Sequence, residues 1–319
     1  MTCKICSSKL ILKYKGIYDD RHGYPKKFNV FKCFDCEFMQ TFPQLTFKEL
    51  SDVYTNYYPK RDVNIKDIVS GSKNIPNKLK ISKNGWSTTC HFQTKKKQKV
   101  LDVGCGTCQS LLEIKQMGGF AWGIDPDRNS EKVAKLLKLN FHLGTIHDFN
   151  EKENFFDLIT ASQVLEHEAN PLSFLIECKK YLKKTGKIVL SFPNTNALSL
   201  KIYGRKWLHW HIPYHLNHFN KKSFEILAKE AGLKIKSIKT VTPNLWTILQ
   251  IKSFLNNIKL GQRDSLWDQD DNKNKIKNKP SFVNNLISKS LPLVEKLLII
   301  NRLIDQFDLG ESFVVELKK

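Results

Sequence analysis

The chain has no long uncharged apolar run. Its best stretch, Leu291 to Ile304, is broken by Glu295, Lys296 and Arg302, and a membrane span needs roughly 18 or more apolar residues. The first residues, Met1-Thr-Cys-Lys-Ile-Cys6, lack the apolar segment of a secretory signal. These two absences predict a soluble, cytoplasmic protein. Arginine is also scarce, occurring only as Arg21, Arg61, Arg128, Arg205, Arg263 and Arg302. Lysine therefore supplies nearly all of the positive charge behind the net +21, whereas base readout and bidentate phosphate clamps favour arginine. Nucleic acid is accordingly not the expected partner. A polyanionic or phosphorylated substrate, or an anionic membrane surface, fits the charge equally well.

What is present suffices for a large core. The 319 residues are 41% hydrophobic and 11% aromatic, which excludes disorder along the whole chain and suggests about two domains on the prior of roughly 150 residues each. Four of the eight cysteines fall as Cys3-x-x-Cys6 and Cys33-x-x-Cys36, while Cys90, Cys105, Cys108 and Cys178 are scattered. Each pair places two thiolates at one tight turn, and two such turns can close a tetrahedral zinc site. Between them, Leu10–Tyr14 and Phe28–Phe31 alternate well enough for short strands. The pattern is that of a zinc ribbon, too small to fold on its own core and held together by metal.

A polar, helix-capable linker ends at Lys95-Lys-Lys-Gln-Lys99, and from Val100 the texture changes. Short apolar runs alternate with longer amphipathic stretches, the signature of a parallel sheet flanked by helices. Strands are predicted at about 99–103, 120–124, 139–143, 156–161, 186–192, 234–241 and 312–317. Helices are predicted near 107–117, 129–138, 171–183 and 221–231. Residues 262–280 read as a mobile polar loop. Residues 282–307 read as a helical pair, or a helix kinked at Pro292, with a broad apolar stripe suited to the protein's own core, a dimer or a membrane surface.

Val100-Leu-Asp-Val-Gly-Cys-Gly-Thr-Cys-Gln109 joins the first of these strands to a helix. Gly104 and Gly106 permit a tight turn with backbone exposed to a ligand, but position 109 lacks the third glycine of a dinucleotide fingerprint. With Asp102 inside the strand end and Gly123-Ile-Asp125-Pro126-Asp127 at the next one, the chain resembles class I S-adenosylmethionine (SAM)-dependent methyltransferases over residues 98–245, and more loosely over 310–318. Gly144-Thr-Ile-His-Asp148, the segment Phe156 to Glu166-His167 and Leu182-Lys-Lys-Thr-Gly186 continue the likeness in order.

The resemblance implies an α/β fold: a Rossmann-like, seven-stranded, mostly parallel sheet with an N-terminal zinc ribbon and a C-terminal helical segment. Its expected divisions are a ribbon over 1–45, a linker or helical lid over 46–97, the methyltransferase domain over 98–260 and 309–319, and a mobile loop with an amphipathic helical insertion over 261–308. SAM would be held by Asp102, Gly104, Gly106, Asp125, Pro126, His147, Ser162 and Gln163. Asp125 would accept hydrogen bonds from the ribose hydroxyls, and Asp102 would attract the ligand's ammonium. Structural Zn²⁺ would sit on Cys3, Cys6, Cys33 and Cys36.

The segment Phe192 to Asn220 is long, polar and aromatic, as functional loops are. Its run Pro213-Tyr-His215-Leu-Asn-His218-Phe-Asn220 looks like an element of sugar- and quinone-type methyltransferases. In the zinc-ribbon ketosugar C-methyltransferases a Glu-His pair stands here, and this chain has Tyr214 before His215. The match makes His215, with His218 beside it, the expected general base; hydrogen-bonding the loop to the sheet is the alternative role for both. Trp207, Trp210 and Tyr214 offer flat surfaces for a cyclic acceptor. Tyr57 and Tyr58 would cover the acceptor or else pack the ribbon on the core. The expected reaction is methyl transfer to a small-molecule or glycan-type acceptor (a sugar, sugar nucleotide or polysaccharide) by a monomer or homodimer, with RNA methylation the rival.

Overall fold

The structure, a computed structural model, describes residues 1–57, 64–267 and 298–319. Strands β1 (Leu10–Tyr18) and β2 (Lys27–Cys33) form the hairpin between the two cysteine pairs, and β3 (Met39–Phe42) follows the second pair. Helices α1 (Phe47–Asp52), α2 (Ile65–Ser72) and α3 (Lys78–Asn84) precede the large sheet. Asn64 and Asn77 cap α2 and α3 by accepting from the backbone N–H groups of Lys66 and Lys80, the usual way to pair orphan donors at a helix start.

Five strands then alternate with helices: β4 (Lys99–Val103), α4 (Gln109–Gln116), β5 (Phe120–Asp125), α5 (Arg128–Leu136), β6 (Asn140–Leu143), β7 (Phe156–Ser162), α6 (Pro171–Tyr181) and β8 (Leu182–Pro193). Beyond them come α7 (Leu198–Tyr203), the two-residue β9 (Asn217–His218), α8 (Lys221–Glu230), β10 (Lys234–Val241), α9 (Asn244–Asn256), α10 (Ile300–Gln306) and β11 (Ser312–Lys318). The large sheet runs β10-β11-β8-β7-β4-β5-β6. The neighbours from β8 through β7, β4 and β5 to β6 are parallel, and β11 is antiparallel to both β8 and β10. Chain order reverses between β4 and β7, so the crevice at their carboxyl ends is where such sheets take ligands.

The predicted strands appear at their expected places, but β8 starts at Leu182 rather than 186. Leu182 is fully buried and pairs with Phe156, so burial keeps the backbone extended where the Lys-Lys-Thr-Gly run suggests a turn. The predicted loop 262–280 is described only to Trp267. Most of the predicted helical stretch 282–307 lies outside the described residues, and α10 covers its end. Among the described residues no helix is long and apolar enough to cross a membrane.

The smaller sheet, β1-β2-β3-β9, draws its last strand from the loop after β8. Met39 pairs with His218 and Gln40 with Asn217, so the ribbon shares a sheet with the methyltransferase-like half. Next to this joint, Phe219 is fully buried, with its ring centroid 5.0 Å from Phe38 of the ribbon and 5.3 Å from Phe192 of β8. Phe219→Ala should therefore lower the unfolding free energy by about 3–5 kcal/mol, the usual cost of a large-to-small core change. Urea denaturation followed by ribbon-specific and sheet-specific probes should show both halves weakening together; loss confined to one half would separate the two units.

Candidate active site

The turn after β4 is shaped by two glycines in left-handed conformations, Gly104 at φ 75° and Gly106 at φ 53°. A Cβ on Gly104 would meet Val164 Cγ2 at 2.5 Å, whereas one on Gly106 would meet nothing within 4 Å. The space over Gly106 is open, at the crevice where chain order reverses. Beneath it, Asp125 Oδ2 accepts from Gly106 N–H at 2.8 Å and Oδ1 from Asp127 N–H at 2.9 Å. Burial raises the Asp125 pKa above its ordinary value. Each carboxylate oxygen keeps a further lone pair for a ligand hydroxyl. Asp102, buried at the end of β4, accepts from Thr160 Oγ1 at 2.6 Å across the β4–β7 pair.

The remaining expected SAM residues lie at or just after the carboxyl ends of β5, β6 and β7. Pro126 is exposed beside Asp125. Ser162 Oγ accepts from Cys90 N–H at 3.0 Å. Gln163 is held at φ 57°, and its neighbours orient its carboxamide with the nitrogen toward Glu166 Oε1 at 3.2 Å and the oxygen toward the Ser191 and Ser312 hydroxyls, each at 3.1 Å. His147 stands on the rim after β6, 3.5 Å from Glu168 Oε2.

The histidine loop differs from the expectation of open aromatic platforms. Trp210 and Tyr214 are 2% and 1% exposed, and with Trp207 they fill a second core beneath the ribbon. Their faces are used by the protein itself, because the ribbon covers a loop that looks solvent-facing in sequence. Tyr57 is half-buried and meets the Tyr24 ring edge-on at 5.1 Å, the packing alternative of the two given above; Tyr58 lies outside the described residues.

The two expected base residues have different surroundings. The Thr41 hydroxyl donates to the His215 carbonyl at 3.0 Å, so His218 Nε2–H is the donor in its 2.9 Å contact with Thr41 Oγ1. His218 is buried, and desolvation pushes its pKa down to about 3. His218 is a joint between ribbon and loop. His215 Nδ1 donates to the His209 carbonyl at 2.8 Å, leaving an Nε2 lone pair 4.0 Å from Glu166 Oε1. Burial and the neighbouring histidines hold its pKa well below the usual value. His167, which sequence reasoning places only in a Glu-His pair, joins this group: its Nδ1 bonds the Tyr214 carbonyl at 3.0 Å, and its ring centroid is 4.7 Å from that of His215. The signal in the sequence was the pair itself; its partner His215 is far along the chain.

At the other end, the Sγ atoms of Cys3 and Cys36 are 3.5 Å apart and those of Cys6 and Cys33 3.4 Å, with all four within 4.8 Å of one another. A tetrahedron with 2.3 Å zinc–sulfur bonds has sulfur–sulfur edges of about 3.8 Å, so these thiols fit a single tetrahedral ion. Ile5 N–H also donates to Cys3 Sγ at 3.3 Å, the kind of outer contact that orients a thiolate ligand.

The strand order, the glycine turn and the acidic residue ending the next strand define a class I methyltransferase fold. Residues 81–238 match a family described as a methyltransferase domain. The chain is 24% identical over 152 residues to a ubiquinone biosynthesis O-methyltransferase of Maricaulis maris, covering 44% of this chain and 60% of that protein. It is 31% identical over 159 residues to one of Haemophilus ducreyi, covering 44% of this chain and 67% of that protein. A solved SAM-dependent methyltransferase from Archaeoglobus fulgidus aligns at 18% identity and TM-score 0.45, covering 79% of this chain and 98% of the other. The chain belongs to the SAM-dependent methyltransferase family. It spans less than two thirds of the Maricaulis relative's length.

The close approach of Val164 to Gly104 yields a stability test. Gly104→Ala should destabilise by about 1–3 kcal/mol, from overpacking and from a side chain at positive φ. Adding Val164→Ala should recover the overpacking part, read as a coupling in a double-mutant denaturation cycle. Strict additivity would mean that the two residues do not touch.

Proposed function

We propose that this protein transfers the methyl group of SAM to a small-molecule or glycan-type acceptor, with a hydroxylated ring as the acceptor class. The observation that carries this reading is the open space over Gly106, floored by the buried Asp125 carboxylate at the carboxyl ends of β4 and β5. A nucleoside with a zwitterionic tail and no pyrophosphate needs backbone room and a ribose-binding carboxylate, and this site offers both. Asp125 would take the ribose hydroxyls, Asp102 the ammonium, and His147, Ser162 and Gln163 the rim around the base. SAM brings an electrophilic methyl on a sulfonium, so the protein's share is alignment and removal of a proton from the acceptor.

Of the two expected base residues, His215 is the one that keeps an Nε2 lone pair, 4.0 Å from Glu166 Oε1, since His218 Nε2 is held by Thr41. The relatives' names carry quinone-type O-methylation; a cyclic hydroxyl acceptor here is consistent with them. Zinc on Cys3, Cys6, Cys33 and Cys36 would hold the ribbon's turns together and, through β3 and β9, keep the histidine loop in place.

Calorimetry should show SAM binding to the purified chain, weakened by about 1.5–3 kcal/mol in Asp125→Ala, the range for hydrogen bonds to a charged group. Unchanged affinity in a folded variant would remove Asp125 from the site. Metal analysis of protein never exposed to chelator should return one tightly held zinc on the four cysteines. Cys33→Ser should release it and loosen the ribbon. A stoichiometric absence of zinc would overturn this assignment.

A further inference from the structure

We propose that the cleft between the ribbon and α7 binds a phosphate-bearing ligand, at a site separate from the methyl-transfer crevice. Its volume is about 250 Å³, and none of the expected SAM or base residues lines it. Three lysines reach it from three separate elements: Lys13 on β1, Lys32 on β2 and Lys201 on α7. The one carboxylate in its wall, Glu37, is held by Lys32 at 2.5 Å. Lys13 and Lys201 have no acidic partner among the described residues. Two like charges at one cleft repel each other, and an anion seated between them replaces that repulsion with attraction.

The walls strengthen the effect of these charges. Met39 and Leu200 are buried apolar residues of the lining. Tyr14 is half-buried, with its ring fixed edge-on against Trp210 at 5.1 Å between centroids. Charge of one sign over low-dielectric walls focuses the field and gathers counter-ions. The exposed Asn196 adds a carboxamide that can donate a neutral hydrogen bond.

Charge and size select the ligand. A phosphate monoester carries about −1.5 to −2 charges at neutral pH, which matches the two lysines without acidic partners; a single carboxylate would leave one unmatched. Lysine binds phosphate as a point charge and needs no planar fork, in keeping with a lining that holds no arginine. The volume lies below the roughly 300–1,000 Å³ of sites that enclose a drug-sized ligand. The cleft therefore takes inorganic phosphate or the charged head of a larger phosphate ester.

The test is calorimetry on the full chain as purified, dialysed free of phosphate, with inorganic phosphate, ribose 5-phosphate and uridine diphosphate as titrants. We expect saturable one-to-one binding that weakens with added salt. Lys13→Gln combined with Lys201→Gln should lower the affinity about tenfold or more, the loss of charge-assisted hydrogen bonds. Lys234→Gln combined with Lys236→Gln removes the same charge from exposed positions of β10 and should leave the affinity nearly unchanged. Glu37→Gln, which frees Lys32, should tighten binding. SAM affinity should match wild type in the cleft variants, because β1 and α7 carry none of the expected SAM residues. Inorganic phosphate binding as tightly as the esters assigns the site to free phosphate; tighter binding of an ester assigns it to the head of a larger molecule. No saturable binding of any of the three titrants, or equal losses in the two lysine pairs, overturns the site.

Discussion

A two-residue strand carries the joint on which the arrangement at the carboxyl edge of the large sheet depends. Asn217 and His218 pair with β3 of the ribbon on one side. On the other, Asn217 Nδ2 donates to the Glu168 carbonyl at 2.6 Å and Leu216 N–H to the Glu166 carbonyl at 2.9 Å. Thr41 completes the link, donating its backbone N–H to the Leu216 carbonyl and its hydroxyl to the His215 carbonyl. These hydrogen bonds and the β3–β9 pairing tie the positions of ribbon, histidine loop and post-β7 loop together. A ribbon that looks like an appendage in sequence thereby shares a sheet with the loop after β8.

The parallel strands were legible because both faces of the sheet are covered. Val100, Leu101 and Val103 in β4, and Leu158, Ile159 and Ala161 in β7, are all buried, so the sequence shows near-continuous apolar runs. The glycine turn was legible from Gly104 and Gly106, whose positive φ values few other residues adopt. The β3–β9 pairing was not, because two residues of strand carry no periodicity and their partner is remote in sequence. Trp210 and Tyr214 misled for a related reason: aromatic residues in a polar loop read as a platform until the covering element is known. The likeness to known methyltransferases ordered the motifs correctly, yet it could not show that His218 Nε2 is held by a ribbon threonine.

The charge distribution also takes a different meaning in three dimensions. Arg21 donates to the Leu208 carbonyl and lies over the Trp267 ring at 4.2 Å. Arg205 reaches the Gly16 carbonyl, Arg263 the carbonyls of His22, Asn56 and Tyr57, and Arg302 those of Ser82 and Thr242. Each of these guanidinium groups ties segments distant in sequence, and Arg263 and Arg302 do so through more than one rigid donor, a task that a lysine's point charge performs poorly. The scarce arginines thus act as internal staples. Phosphate recognition would fall to the lysines, whose flexible ammonium groups give attraction without sequence readout.

One short loop, Val164 to His167, links the cofactor turn and the histidine cluster. Val164 sits where a Gly104 side chain would be, and Glu166 faces His215 across 4.0 Å. Methyl transfer needs the acceptor nucleophile and the sulfonium carbon within about 3–3.5 Å and in line, and a 1 Å displacement can cost on the order of a hundredfold in rate. Because the loop packs on the glycine turn at one end and is hydrogen-bonded to Leu216 and Asn217 at the other, a shift of the ribbon moves the loop relative to β4. On the function proposed here, a metal on the four cysteines would bear on reaction geometry without touching either substrate: it would hold the turns that flank β3, β3 pairs with β9, and β9 adjoins the loop that links the acceptor side to the cofactor side of the crevice.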